Sequence, residues 1–244
     1  MTFASTTRDE GKANVKSAPL VDLVIFDCDG VLVDSEVISC RAHAQVLSRN
    51  GYPITPEQVF ARFLGRSARQ ATLEIEAEIG RRLPEDFHQQ LRGELYGLFE
   101  ADLKAIPHIH DALDAIVLPV CVASSGSHRR MRISLGATRL FDRFAPNIFS
   151  ASEVENGKPA PDLFLFAASR MQARADRCLV IEDSVAGIAA ARAAGMRVLG
   201  FCGGSHCEPG YDEALRAAGA FLTFDDMRQL PALIAQARAQ MAAE

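Results

Sequence analysis

The 244-residue sequence lacks the features that would place it in a membrane or on a nucleic acid. No apolar run reaches the roughly 18 residues that a membrane-spanning helix needs. The first twenty residues are polar and carry both signs of charge, so they lack the apolar stretch of a secretory signal. The net charge of −5 indicates no basic surface. We therefore expect a cytoplasmic protein with no nucleic-acid and no membrane partner.

Cysteines with paired spacing are also missing. The six cysteines are scattered, and without an export signal we expect them to be reduced thiols. One short Gly-rich loop does combine Cys202, His206 and Cys207. A structural zinc site usually needs four ligands at recognised spacings, and this loop offers three. An ordinary loop is therefore favoured over a metal site.

The sequence does contain short apolar runs that alternate with helical patterns. The runs are Leu20–Phe26, Leu118–Ala123, Cys178–Ile181, Arg197–Phe201 and Ala220–Thr223. Such near-continuous runs suit strands that are covered on both faces. Their alternation with helices predicts an α/β fold, a Rossmann-like doubly wound parallel sheet. Ligands of such sheets bind beyond the carboxyl ends of the strands.

Residues 36–103 break this alternation, because they carry helix signals and no convincing strand. Thr55-Pro56-Glu57-Gln58 combines a capping residue, a first-turn proline and a Gln at the third position. Gly65 and Gly80 are expected helix ends, and an apolar stripe marks a long helix after Pro84. We therefore predict a flexible tail (1–19), a discontinuous α/β core (20–35 and 104–244) and an inserted all-helical cap (36–103).

Two pairs of carboxylates follow predicted strands. Asp27 and Asp29 come directly after the first run, and Glu182-Asp183 come after the third. Like charges this close favour a cation between them, and a hard oxygen-seeking ion such as Mg²⁺ is the natural partner. Converging carboxylates of this kind would hold Mg²⁺ and leave one carboxylate free to react. Taken singly, each pair is better explained as a helix cap or a solvated turn, and only the joint arrangement points to a functional site.

Two further segments point to an anion. Ser124-Ser125-Gly126 closes the second run, and a Gly-containing turn with hydroxyls and free N–H groups can bind an anion. Lys158 lies in a loop stiffened by two prolines, in a chain with only four lysines. A lone lysine held in this way suits a point charge near phosphate, although it equally suits a solvated loop.

These four segments, in this order, resemble the haloacid dehalogenase superfamily. The segments that carry the resemblance are DCDGV (27–31), the strand-ending Ser124, GKPAPD (157–162) and EDSVAGI (182–188). The similarity extends from Val21 to about Phe224. The branch with a helical cap after the first motif, which includes β-phosphoglucomutase-like proteins and sugar phosphatases, is the most similar.

The resemblance implies a role for each matching residue. Asp27 would be the nucleophile that forms an aspartyl-phosphate, and Asp29 would be the general acid and base. Ser124 would bind the phosphoryl oxygens with help from Ser125 and Gly126, and Lys158 would offset negative charge. Mg²⁺ would be held by Asp27, the carbonyl of Asp29 and Asp183, with Glu182 near or in the ligand shell.

Residues that differ from those of other branches of the superfamily narrow the range of possible activities. Asp29 argues against dehalogenation, which has no leaving alcohol to protonate. The predicted cap contains no lysine, which argues against the phosphonate-cleaving branch and also against the mutases. Ser39 stands where the β-phosphoglucomutases have a histidine. A mutase therefore remains an alternative to a phosphatase, and a non-catalytic sugar-phosphate-binding module is an alternative of another class.

The resemblance thus implies a Mg²⁺-dependent phosphatase for a small phosphorylated metabolite, such as a sugar, sugar-acid or polyol phosphate. Within the cap, we expect Arg66 and Ser67, in a polar turn between two helices, to reach the substrate. Glu36 at the start of the cap is expected to line the same site. A monomer is favoured, although the sequence leaves the oligomeric state and the physiological substrate open.

Overall fold

The computed structural model describes residues 21–63 and 68–241. Its centre is one parallel sheet of six strands in the order β3-β2-β1-β4-β5-β6. The strands are β1 (Leu23–Phe26), β2 (Val120–Ser124), β3 (Ile148–Ser150), β4 (Cys178–Glu182), β5 (Arg197–Phe201) and β6 (Leu222–Phe224). The predicted Rossmann-like α/β fold is confirmed.

The central strands form because their side chains are apolar on both faces. β1 and β4 are buried along their whole length, and β5 is buried except at Arg197. β2 and β3 lie on one side of β1, and β4, β5 and β6 lie on its other side. The crevice between β1 and β4, where the strand order changes sides, is where α/β sheets bind ligands. Asp27 follows β1 directly, so the fold places it at this crevice.

Sequence reasoning missed β3. This strand has three residues, lies at the edge of the sheet and pairs with β2 only. Pro146 lies two residues before it. A run this short carries no periodicity of its own, so it is a strand because β2 offers it a free edge.

Helices cover both faces of the sheet. The helices that belong to this layer are α5 (Ile109–Ala115), α6 (His128–Ala137), α7 (Phe141–Phe144), α8 (Asp162–Arg170), α9 (Val185–Ala193), α10 (Tyr211–Ala218) and α11 (Leu230–Met241). Three 3₁₀ turns join them, at Ala151–Glu153, Ala175–Arg177 and Met227–Gln229. One buried apolar cluster lies on each face of the sheet, which explains why the strands are apolar throughout.

Four helices lie between β1 and α5: α1 (Glu36–Arg49), α2 (Pro56–Phe63), α3 (Ala68–Ile79) and α4 (Phe87–Asp102). The predicted capping box at the start of α2 is present, because Gln58 N donates to Thr55 Oγ1 at 3.3 Å and Thr55 N donates to Gln58 Oε1 at 2.9 Å. Gly80 follows α3 with a φ of +66°, as a helix stop requires. Gly65 lies outside the described residues.

These four helices have an apolar cluster of their own, separate from the two that cover the sheet, which includes Leu47, Val59 and Phe87. The opposite ends of α1 and α4 pack into the core, where Phe99 is fully buried. The two connections meet as well, since Asp34 N donates to Lys104 O at 3.0 Å. The division into core and cap at 35/36 and 103/104 remains a proposal. Within the described residues, no helix is long and apolar enough to cross a membrane.

Candidate active site

Three carboxylates meet beyond the carboxyl ends of β1 and β4. Asp27 follows β1, Glu182 ends β4 and Asp183 comes next. All three are buried, and one oxygen of each lies within 4.8 Å of the others. Parallel neighbouring strands end at the same sheet edge, which is why residues 155 positions apart converge here.

Lys158 neutralises part of this charge. Its Nζ donates to Asp27 Oδ1 at 2.5 Å and to Glu182 Oε1 at 2.7 Å, and its side chain is 5% exposed. A third bond reaches Ala123 O at 3.2 Å. Burial opposes the charge on Lys158, yet Asp27 and Glu182 outweigh burial and raise its pKa. The lysine therefore remains a cation inside the site.

One lysine does not balance three carboxylates. Burial raises the pKa of Asp27 well above its ordinary value, against the lowering effect of Lys158, and Glu182 and Asp183 raise it further. Burial likewise raises the pKa of Asp183 to about 6. Buried carboxylates that repel one another are what a divalent cation would relieve, and their oxygens suit Mg²⁺. The residues present therefore fit the predicted ion.

Glu182 is held more firmly than the other two carboxylates. Its Oε1 accepts from Lys158, and its Oε2 accepts from Ser184 N at 2.7 Å and Ser184 Oγ at 2.9 Å. A side chain at Gly187 would overlap this carboxylate. The arrangement suits Glu182 for orienting Lys158, and its predicted place near or in the ligand shell remains open.

The carboxylate of Asp29 faces another direction, toward Arg130 and the cap. Arg130 donates from Nη2 to Oδ1 at 2.8 Å and from Nε to Oδ2 at 3.1 Å, and Ser35 Oγ donates to Oδ1 at 2.6 Å. Burial alone would raise the pKa of Asp29, but Arg130 outweighs burial and lowers it. This carboxylate is not part of the group of three. The predicted metal contact of Asp29 through its carbonyl stays a prediction.

Sequence reasoning missed Arg130, which lies in the first turn of α6. Its guanidinium also lies 5.1 Å from the centroid of the Phe99 ring of α4 and 3.4 Å from Ser39 Oγ of α1. Ser127 caps α6 by accepting from Arg130 N at 3.2 Å. The helix cap at Ser127 is recognisable in the sequence, but it does not indicate that Arg130 pairs with a residue 101 positions away.

The predicted phosphate turn lies beside the carboxylates. Ser124 is buried, and its Oγ accepts from Gly126 N at 3.0 Å. Ser150 Oγ donates to Gly126 O at 2.7 Å and so fixes the turn from the neighbouring strand. The next residue of the turn, Ser125, is exposed to solvent. Ser124 and Ser125 line the same cavity of about 270 Å³ as the three carboxylates and Lys158.

His206 lines this cavity, and sequence reasoning did not place it there. Its Nε2 lies 3.0 Å from Asp183 Oδ2, and both side chains are buried. Burial lowers the pKa of His206, but the bond to Asp183 outweighs burial and the pKa rises to about 10. Within the described residues, Cys202, His206 and Cys207 form no candidate metal-binding group.

A second cavity of about 300 Å³ lies among the cap helices. Its described walls are mostly apolar, with contributions from Leu47, Val59, Phe63, Ile75, Phe87 and Leu91. Arg130 is the residue of the core that reaches its lining, and Glu36 lines both cavities. Burial, then Asp29 and Asp183, raise the pKa of Glu36 to about 7. The predicted substrate residues Arg66 and Ser67 lie outside the described residues.

Comparisons with known proteins agree with this geometry. The family model of the haloacid dehalogenase-like hydrolases matches residues 21–195. 6-Phosphogluconate phosphatase of Escherichia coli (strain K12) is 35% identical over 214 residues, which cover 87% of this chain and 94% of the relative. A phosphorylated carbohydrates phosphatase of Thermotoga maritima is 30% identical over 185 residues, which cover 72% of this chain and 82% of the relative.

A solved structure shares the fold as well. The haloacid dehalogenase-like protein of Agrobacterium tumefaciens has a TM-score of 0.78 and 40% identity, and the match covers 88% of this chain and 98% of that one. Together with the named relatives, this confirms the prediction of an enzyme of the phosphatase type. The chain belongs to the family of haloacid dehalogenase-like hydrolases.

Proposed function

We propose that this enzyme is a Mg²⁺-dependent phosphatase that hydrolyses small phosphorylated sugars, sugar acids or polyols through an aspartyl-phosphate at Asp27. The observation that carries the proposal is the placement of Asp27. Its buried carboxylate is bonded to Lys158, shares one cavity with Ser124 and lies among carboxylates that fit Mg²⁺. Phosphoryl transfer needs mainly positioning and charge stabilisation, and these groups supply both.

In the first step, an oxygen of Asp27 attacks phosphorus and the bond from phosphorus to the leaving oxygen breaks. Ser124 and the turn at Ser125 and Gly126 bind the phosphoryl oxygens. Lys158 stays paired with Asp27 and Glu182 and offsets the charge that the phosphoryl group brings. The leaving oxygen takes its proton from Asp29.

In the second step, Asp29 takes a proton from a water molecule, which attacks phosphorus and releases inorganic phosphate from Asp27. The pair with Arg130 favours the ionised carboxylate, which is the form that this second step needs. Substrate binding must therefore weaken that pair before the first step. Asp29 lines the phosphate cavity without joining the group of three carboxylates, which suits a residue that serves the leaving oxygen.

Asp27, Asp183 and the carbonyl of Asp29 would hold Mg²⁺, with Glu182 beside them. When bound, the ion supplies positive charge to the phosphoryl oxygens. Without it, the buried carboxylates repel one another and Asp27 is a poor site for a dianionic phosphate.

The relatives support the substrate class. Two relatives are named as phosphatases of 6-phosphogluconate and of phosphorylated carbohydrates. The cap cavity has room beyond the phosphate site for a leaving group of this size. We place the enzyme in the cytoplasm, since all six cysteines are free.

The test is a phosphate-release screen over phosphorylated sugars, sugar acids and polyols, with Mg²⁺ and with EDTA. We expect turnover that vanishes with EDTA, returns with Mg²⁺ and is inhibited by Ca²⁺, whose larger and looser shell misplaces the carboxylates. Asp183→Asn should require more Mg²⁺ than wild type. Full activity in metal-free buffer, or conversion of a sugar phosphate to its isomer without phosphate release, would contradict the proposal.

A further inference from the structure

The loop after β5 brings an imidazole against the metal-binding carboxylates. His206 Nε2 lies 3.0 Å from Oδ2 of Asp183, and the two side chains are 6% and 8% exposed. Tyr211 packs edge-on against the ring, with the ring centroids 6.1 Å apart. The chemistry described above gives this contact no part, although His206 lines the phosphate cavity.

The surrounding backbone is shaped to admit this ring. A Cβ at Gly204 would lie 2.7 Å from ring atoms of His206. Gly30 has a φ of +81°, and a side chain there would overlap Asp183 and meet His206 Cε1 at 3.0 Å. A side chain at either glycine would therefore push the imidazole and the carboxylate apart.

The loop is also tied to the connection between core and cap. Ser205 donates from N and Oγ to Oδ1 of Asp34, at 3.1 and 2.6 Å. Asp34 in turn bonds Lys104 O, so both connections of the cap are joined to this loop. His206 is therefore held in place through the neighbouring Ser205 as well as by the packing of its ring.

A carboxylate ligand binds a cation well when it does not have to be reoriented. Asp183 lies in the short segment between β4 and α9 rather than within the strand, so its side chain depends on a partner for its orientation. The bond from His206 engages Oδ2 of Asp183, whose carboxylate also has an oxygen within 4.8 Å of oxygens of Asp27 and Glu182. Groups that orient metal ligands in this way commonly change metal affinity ten- to a hundredfold when they are removed.

We propose that His206 is a positioning residue that holds Asp183 in the orientation that binds Mg²⁺. The inference rests on the proposed function, since it concerns the same cation. It gives the Gly203-Gly204-Ser205-His206 segment a role in metal affinity, and it assigns His206 no contact with the substrate.

Isothermal titration of Mg²⁺ into the metal-free enzyme tests this without reference to turnover. For His206→Ala we expect the Kd for Mg²⁺ to rise about ten- to a hundredfold. The Mg²⁺-dependent rise in melting temperature should shrink accordingly, because stabilisation by a ligand follows its affinity. In kinetics, the Mg²⁺ concentration for half-maximal activity should rise, and kcat at saturating Mg²⁺ should fall far less. His206→Gln, which keeps an amide donor, should restore part of the affinity.

The matched control is His128→Ala. His128 Nε2 lies 2.9 Å from Glu153 Oε2, so this variant removes a histidine–carboxylate pair away from the carboxylate cluster. Its Mg²⁺ affinity should equal that of wild type. Should His206→Ala not fold, His206→Phe keeps a ring against Tyr211, removes the donor and should show the same loss.

The outcomes separate this inference from the proposed function. If wild type binds no Mg²⁺, the proposed function fails and the inference fails with it. If wild type binds Mg²⁺ but His206→Ala binds it equally well or more tightly, the inference alone is overturned. A loss in His206→Ala that His206→Gln partly restores supports the positioning role.

Discussion

The two cavities of this enzyme are built in opposite ways. The phosphate site is a network of charges, in which Lys158 bonds two buried carboxylates and Glu182 is fixed through both oxygens. The cap cavity is walled largely by apolar side chains such as Val59 and Ile75. The first region can bind and activate a phosphate by contacts of defined geometry. The second can distinguish leaving groups mainly by shape and volume.

Glu36 and Arg130 lie where the two regions meet. Glu36 lines both cavities, and Arg130 joins Asp29, the proposed general acid, to Ser39 and Phe99 of the cap. A change in how the cap is seated therefore alters the surroundings of Asp29 directly. The comparison predicts that substitutions in the phosphate site affect all substrates, whereas substitutions in the cap cavity affect some substrates more than others.

The largest effect is expected at Asp27, the proposed nucleophile. Asp27→Asn replaces its carboxylate by an amide, which is a very poor nucleophile. Loss of a nucleophile normally costs several decades, so kcat should fall by roughly a thousandfold or more for every substrate. Steady-state phosphate release with two unrelated substrates measures this, and circular dichroism checks the fold. Retention of more than about a tenth of wild-type turnover would remove Asp27 from the mechanism.

The second effect concerns the stability of the same region. Lys158→Ala leaves Asp27 and Glu182 buried without their shared cation. Removing one partner of a buried ion pair typically costs about 3–5 kcal/mol, so the free energy of unfolding of the metal-free enzyme should fall by about that amount. Urea denaturation measures it.

Lys104→Ala is the matched control, because Lys104 is exposed and its side chain lies in the connection between cap and core. Surface substitutions usually change stability by less than about 0.5 kcal/mol. Equal losses in both lysine variants would show that the buried network does not hold the site together. Mg²⁺ should restore more stability to Lys158→Ala than to wild type, since it supplies charge to the same carboxylates.

These two regions also differ in how far the sequence predicts them. Asp27 and Asp183 were recognisable because each follows a buried apolar run, and parallel strands bring such residues to one edge. The strands β1, β4 and β5 were predicted for the same reason. β3 was missed, because three residues at a sheet edge have no pattern apart from the neighbour that they pair with.

Arg130 and His206 could not be predicted from local patterns. Arg130 meets Asp29 across 101 residues, and His206 meets Asp183 only because the loop after β5 folds back over Gly30. Cysteine and histidine in that loop drew attention to a zinc site, whereas the more useful signal was the pair Gly203-Gly204. Capping residues and apolar stripes in the sequence predicted the cap helices. The shape of the cavity between these helices depends on how they pack, which local patterns do not predict.

A pH experiment tests the boundary between the regions. Burial raises the pKa of Glu36 to about 7 from an ordinary value of 4.5, so the folded state favours its protonated form. The stability that this provides is present below pH 4.5 and is lost as the pH rises through 7. Glu36→Gln should therefore be more stable than wild type at pH 8 by about 1–2 kcal/mol, a figure reduced because Glu36 is partly exposed.

The measurement is urea denaturation of the metal-free enzyme at pH 4, 6 and 8. The gain of Glu36→Gln should disappear at pH 4. Glu100→Gln, on the exposed side of α4, controls for the loss of one carboxylate. A gain that is the same at all three pH values would show that ionisation of Glu36 has no part in it.

The smallest effect is expected in the cap cavity, and it should depend on the substrate. Ala71 of α3 lines the cavity, so Ala71→Leu adds volume where a leaving group would lie. A mismatch of a few carbon atoms in an apolar site is worth roughly tenfold or more in kcat/KM. We expect that loss for a six-carbon sugar-acid phosphate and little change for glycerol 1-phosphate, whose leaving group is half as long.

The control is Ala77→Leu, which adds the same side chain to the exposed face of the same helix and should change kcat/KM for neither substrate. If Ala71→Leu lowers kcat/KM for both substrates in equal proportion, the variant acts on the phosphate site or on folding, and the cap cavity does not discriminate by volume. If it lowers neither, leaving groups lie outside this cavity, and the difference between a charged site for chemistry and an apolar site for selection fails.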